Sequence, residues 1–212
     1  MITNAVTAAL AGAAFGLSAG ITPGPLLALV IAQTLAHGPR EGGKVALAPL
    51  LTDSPIILAA LLLTSSAASH GTLLGGLTLC GALFLMYCAL GCLRFTPPGS
   101  RPDGPQARKA PGSIGKGVLA NFLNPGPYLF WMTVGAPLIM EARAQGWLTL
   151  ASFFLAFFLT IVGSKFGVAL LTWRTGPVLG SRGYLLAMRG LGVMLLAYAG
   201  FYVRDGLRLL LF

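Results

Sequence analysis

The chain alternates between long apolar runs and short polar segments. The apolar runs cover residues 5–36, 45–66, 73–93, 117–140, 148–173 and 184–203. Each is long enough, as a helix, to cross a hydrocarbon core of about 30 Å, which takes about 20 residues. Gly and Pro interrupt several of them, which spanning helices tolerate where neighbouring segments pair the freed backbone groups. The pattern predicts six transmembrane helices. The segment TPPGSRPDGPQARKAPG, residues 96–112, is rich in Pro and Gly and charged, and it reads as a flexible linker between two halves. The expected organisation is therefore a first three-helix unit over 1–95, a cytoplasmic linker over 96–113 and a second three-helix unit over 114–212.

Composition agrees with this pattern. Of 212 residues, 56% are hydrophobic and only 9% charged, against about 25% charged in a soluble domain. The formal net charge of +9 would suit a nucleic-acid binder, but the cations lie in the short segments between apolar runs and form no patch. Arg40 and Lys44 lie between runs one and two. Arg94, Arg101, Arg108, Lys109 and Lys116 lie around the linker, and Arg174, Arg182 and Arg189 between and beside runs five and six. The opposite side carries Arg143, Arg204 and Arg208, and the second inter-run segment, SSAASHG, has no Lys or Arg. The positive-inside rule makes the first group cytoplasmic and puts both termini outside. The first run has no basic segment before it and is too long for a signal peptide, so it reads as a retained span.

Short sequence echoes link the two halves. Residues 21–26 read ITPGPL and residues 123–129 read LNPGPYL, an offset of 102. Gly81 with Tyr87 and Gly192 with Tyr198 share a G-x5-Y spacing at offset 111. Three spans per unit is odd, so the second unit must enter from the other side of the bilayer. That is an inverted-topology repeat, the arrangement of secondary transporters with sites near the midplane.

The echoes fall where backbone chemistry is most constrained. Proline lacks an N–H and clashes with the carbonyl one turn back, so each P-G-P should break its helix, with Gly24 and Gly126 supplying unusual backbone angles. Bare backbone in hydrocarbon costs several kcal/mol per group, so the breaks should line a polar cavity or be buried in protein. The N-terminus of each half-helix suits a carboxylate, and Thr22 and Asn124 can cap the breaks or touch a ligand. The plain alternative is a packing kink without a ligand.

Asp53 in the second run and Lys165 in the fifth lie within about 7 Å of the midplane on helical geometry. A charge at that depth should face the bundle interior and find a partner. The two either pair with each other, or one binds substrate while the other titrates; a purely structural ion pair is the alternative. Arg189 is expected to snorkel to the interface. Cys80, Cys88 and Cys92 share one side of the third helix and read as small buried residues rather than a soft-metal site. His37 and His70 are placed in loops. Gly12, Gly16 and Gly20 form a stripe suited to close helix packing, within one protomer or between copies of a homo-oligomer. No enzyme, nucleotide or metal motif is present, so no enzymatic activity, cofactor or metal is expected.

These features together resemble the LysE/RhtB superfamily of amino-acid exporters. The resemblance is carried by GLSAGITPGPL in helix 1, LLTDSP in helix 2, the central linker, and KGVLANFLNPGPYL in helix 4, and it extends along the whole chain. It implies export of an amino acid or small derivative across a prokaryotic inner membrane, driven by the proton motive force through alternating access. Pro23, Gly24, Pro25, Asn124 and Pro125 would then shape the central site, and Asp53 matches the acidic position of helix 2. The substrate-binding set comprises these with Thr22, Asn121, Gly126, Pro127, Tyr128 and Lys165, and proton coupling falls to Asp53 and Lys165. Lys165 has no counterpart in the family pattern, and by neutralising Asp53 it favours an anionic or zwitterionic amino acid over a cationic one. Heavy-metal export, found in cadmium-resistance members of the superfamily, and a non-transporting membrane scaffold are the alternatives.

Overall fold

In a computed structural model, residues 2–64, 70–94, 112–176 and 180–211 are described, and within them the chain is helical with no strand. The linker expected over 96–113 lies outside these residues up to 111, as do 65–69 of the second inter-run segment. Helix α1 (Ala5–Ile21) starts on a capping box, with Asn4 accepting from the Thr7 N–H at 2.9 Å and Thr7 answering the Asn4 N–H. It stops before Pro23, and α2 (Pro25–His37) restarts with Pro at its first position, bent by 62° from α1. Gly38, at φ 92°, makes the tight turn that α3 (Pro39–Ala46) leaves, a conformation glycine alone takes cheaply. Then follow α4 (Ala48–Thr64), α5 (His70–Leu93), α6 (Ser113–Phe122) and α7 (Pro125–Phe130). A π-helical turn over Trp131–Gly135 joins α7 to α8 (Ala136–Ala144), and α9 (Trp147–Thr175) and α10 (Gly180–Leu211) complete the chain.

Several sequence expectations shift. Arg40 and Lys44 sit on α3 rather than in a loop, with Glu41 and Lys44 paired at 2.6 Å. Two glycines of α3 are packing sites: a Cβ on Gly42 would lie 1.8 Å from the Thr34 hydroxyl, and one on Gly43 2.7 Å from the Phe166 ring. His37 ends α2 and His70 begins α5, so both belong to helices. The sixth run extends to Leu211, which puts Arg204 and Arg208 on α10. Among the described residues, four helices are long and apolar enough to span a membrane, or five if the bent α1–α2 pair is one span. The expectation of six is not met on that measure, because the run at 117–140 is divided among α6, α7, the π turn and α8.

The helices pack around two apolar clusters. One gathers Leu26–Leu35 of α2, Val45 and Ala48, Ala120 of α6, Ala169 of α9 and the facing sides of α5 and α10. The other gathers Ala8, Ile56 to Ala60 of α4, Tyr128, Trp131, Ile139 and Phe153 to Ile161 of α9. Both proline breaks carry the chain from one cluster to the other, and α4 and α9 cross the same boundary at Asp53 and Lys165. A polar layer thus separates two greasy halves. Around it, bulky apolar side chains such as Leu10, Leu83, Leu155 and Leu186 face outward, as lipid-facing surface requires.

Two helix pairs approach closely at glycines. A Cβ on Gly12 would sit 2.2 Å from the Phe153 carbonyl oxygen, on Gly16 2.2 Å from the Thr160 hydroxyl, and on Gly20 1.8 Å from the Ser164 hydroxyl. The contacts advance together, so α1 and α9 run parallel with backbones nearly touching. Helices α5 and α10 approach in the same way but antiparallel, Gly75 meeting Gly206 and Leu210, and Gly192 meeting Ala89 and Leu93. Gly12→Ala should therefore lower stability by about 1–3 kcal/mol through overpacking against fixed backbone. Gly200→Ala, which faces open space, should change it by less than about 0.5 kcal/mol. Unfolding of the purified protein in detergent measures both.

Candidate functional site

The first break leaves carbonyls at the end of α1 and N–H groups at the start of α2. The Thr22 hydroxyl donates back to the Ser18 carbonyl. Lys165 Nζ reaches across from α9 and donates to the carbonyls of Ala19 and Gly20, at 3.1 Å each. A cation at the negative end of a half-helix is the electrostatically favoured arrangement. The Pro23 carbonyl accepts from the Tyr198 hydroxyl of α10 at 2.8 Å. At the start of α2, Pro25 has no N–H, and the N–H groups of Leu26 and Leu27 make no hydrogen bond among the described residues. Gly24 caps this turn in an extended conformation open to any residue, φ −172° and ψ 177°, so the expectation of special backbone angles there is not met.

The second break is closed differently. Asn124 caps α7, its Oδ1 accepting from the Gly126 N–H at 2.9 Å and from the Tyr202 hydroxyl of α10. Pro125 and Pro127 have no N–H, so the first turn of α7 offers no free donor. Gly126 also lies outside the left-handed region; a Cβ there would crowd Asn124 Oδ1 at 3.1 Å. Tyr198 and Tyr202, one helical turn apart, thus tie both breaks to α10.

Asp53 is 3% exposed. Its Oδ1 accepts from Asn121 Nδ2 at 2.8 Å, and the same amide donates to Thr52 Oγ1 at 2.6 Å. The Trp131 indole lies beside the carboxylate. The π turn aims that indole: Gly135 lacks a side chain where the Trp131 ring lies, 2.1 Å from where a Cβ would be. Lys165 is also 3% exposed and feels the charge of Asp53. The two make no direct ion pair; among the described residues, ion pairs join Glu41 to Lys44 and Arg204 to Asp205. Each buried charge is held instead by neutral dipoles.

These groups surround one cavity of about 630 Å³. The structure places Thr22, Pro23, Gly24, Pro25, Asp53, Asn121, Asn124, Pro125, Gly126, Pro127 and Lys165 in its wall. Tyr128 is the exception: it turns into the second apolar cluster and its hydroxyl donates to the Phe122 carbonyl at 3.0 Å. Sequence reasoning missed Trp131, Tyr198 and Tyr202, which also line the cavity. The available signal was two tyrosines spaced i, i+4 inside an apolar run, and a buried indole that needs an acceptor. Cys88 and Cys92 are buried and Cys80 is exposed. No three His, Cys, Asp or Glu residues gather as metal ligands among the described residues.

The family model of the LysE type translocators matches this chain over residues 17–206. No curated protein and no solved structure matches it.

Removing the donors that close the breaks should destabilise the fold in proportion to the groups left bare. Lys165→Met strips two helix-end carbonyls and should lower stability by about 1–3 kcal/mol. Tyr198→Phe and Tyr202→Phe each remove one hydrogen bond, worth about 0.5–1.5 kcal/mol. Denaturation in detergent, run on all three variants beside the parent, gives the order.

Proposed function

From the membership of this chain in the LysE type translocator family, we propose that it is a secondary transporter exporting an amino acid or a small derivative across a prokaryotic inner membrane. The observation that carries the reading is the meeting of two broken helices, free α2 N–H groups and a buried carboxylate around one cavity. Its volume lies within the roughly 300–1,000 Å³ of small-molecule sites.

The proposed mechanism uses the asymmetry of the breaks. The N–H groups of Leu26 and Leu27 receive the substrate carboxylate at the positive end of α2. The first turn of α7 has no donor to spare, and Lys165 is engaged with the end of α1. The carboxylate site is therefore assigned to α2, which narrows the sequence expectation of both breaks and Lys165. Asp53 takes the substrate ammonium or a proton, one excluding the other. That competition couples export of substrate to entry of protons, as antiport by alternating access requires.

The inverted repeat is part of the proposal, and the packing supports it. Asp53 of helix 2 bonds Asn121, four residues before Pro125; Lys165 of helix 5 bonds Ala19, four residues before Pro23. The offset of 102 that maps Pro23 onto Pro125 also maps Ala19 onto Asn121. Helix 1 packs on helix 5 and helix 4 on helix 2, while helices 3 and 6 pack on each other, as exchange of two units demands. Parallel α1 and α9 and antiparallel α5 and α10 fit six alternating spans with both termini on one side of the membrane. Arg143, stacked 3.8 Å over the Trp147 ring in the α8–α9 turn, suits an interfacial anchor on that outer side.

The test is transport in proteoliposomes under an imposed proton gradient. Asp53→Asn should reduce gradient-driven amino-acid flux by at least about tenfold, the equivalent of about 1.4 kcal/mol, with its melting behaviour in detergent close to the parent's. Flux equal to the parent's at matched protein density would remove Asp53 from the coupling mechanism.

A further inference from the structure

The cavity wall has two chemically distinct parts. Among the described residues lining it, Asp53 and Lys165 are the sole charged side chains, one of each sign. They lie with Asn121 and the open N–H groups of α2 at the level where both helices break. The other part is aromatic. The Phe130 ring centre lies 5.8 Å from Phe15, 5.1 Å from Trp131 and 6.0 Å from Phe157, and Trp131 and Phe157 are 5.0 Å apart. All four rings line the cavity, with Val134 and Ile161 beside them.

This division discriminates among side chains. The polar part matches the groups common to every α-amino acid: Asp53 takes the ammonium, the open N–H groups of α2 take the carboxylate, and Lys165 stays bonded to the Ala19 and Gly20 carbonyls. A cationic or anionic side chain would then enter the aromatic part with no counter-charge, losing its water without replacement. A very small side chain would leave that part unfilled and forfeit its contacts. An aromatic or branched apolar side chain would pack against the half-buried Phe15 and Phe130 rings, aromatic pairs favouring centre-to-centre spacings of about 4.5–7 Å.

We propose that the cavity selects a net-neutral amino acid with a large apolar side chain, aromatic ones foremost. The inference rests on the amino-acid reading of the site and specifies its substrate class. Phe15 and Phe130, both half-buried, are its specificity-determining residues, backed by the buried Phe157, and the polar part only recognises the backbone of the substrate.

Thermal-shift titration of the purified protein in detergent tests it, using L-phenylalanine, L-leucine, glycine, L-lysine and L-glutamate as probes. Binding to the native state alone raises the melting temperature, by an amount that grows with the logarithm of one plus the ratio of free ligand concentration to Kd. Phenylalanine and leucine should bind, with glycine, lysine and glutamate at least about tenfold weaker. Phe130→Ala and, as a second and separately folded variant, Phe15→Ala should each shrink the preference for phenylalanine over glycine by at least about threefold, within the range that small changes of apolar contact produce. Lysine, glutamate or glycine binding as tightly as phenylalanine would overturn the substrate class while leaving the amino-acid reading standing. So would an unchanged preference in both variants. No shift with any of the five amino acids would overturn both readings together.

Discussion

Hydrocarbon offers no partner to a backbone N–H or carbonyl, so a helix broken at membrane depth holds only where other segments supply the missing bonds. The arrangement of this chain follows from that requirement. Lys165 on α9 closes the end of α1, Tyr198 on α10 closes the Pro23 carbonyl, and Asn124 with Tyr202 closes the start of α7. The helices that flank the breaks are placed by what they must donate. What they leave unpaired, the N–H groups of Leu26 and Leu27, opens on the cavity and gives it a positive face.

Such bonds need short reach, and the small-residue contacts supply it. Glycines 12, 16 and 20 bring α1 against α9 closely enough for Lys165 to touch carbonyls of α1. Gly81 brings α5 to the Leu123 carbonyl and the Tyr202 ring beside the second break. In lipid the apolar effect does not drive helices together, so backbone proximity and polar bonds carry the association. Here the two meet at Gly20 and Gly81, at the level that separates the two apolar clusters.

Much of this was legible in the residues. Apolar run length gave most of the helices, because a membrane imposes one length scale on every span. The P-G-P segments gave the breaks, because proline's missing N–H acts locally and needs no tertiary context. Asp53 and Lys165 stood out because a charge in an apolar run has few tolerable environments. The stripe of Gly12, Gly16 and Gly20 read directly as a packing face. The errors also have local causes: the gap between the first two apolar runs looked like a loop because it is short and polar, yet α3 forms there, its Gly42 and Gly43 packing against Thr34 and Phe166.

The sequence by itself determined where helices run and stop and which few polar residues must lie inside, since these follow from length, proline chemistry and the cost of burying charge. Only the tertiary structure decided who satisfies whom. That Lys165 caps α1 instead of pairing with Asp53, that Tyr128 turns into the core while Tyr202 holds Asn124, and that Trp131 reaches Asp53 through a π turn, all depend on contacts between residues far apart in the chain. A hydrogen bond is a matter of a few tenths of an ångström and of direction. Residue spacing along one helix fixes neither across two.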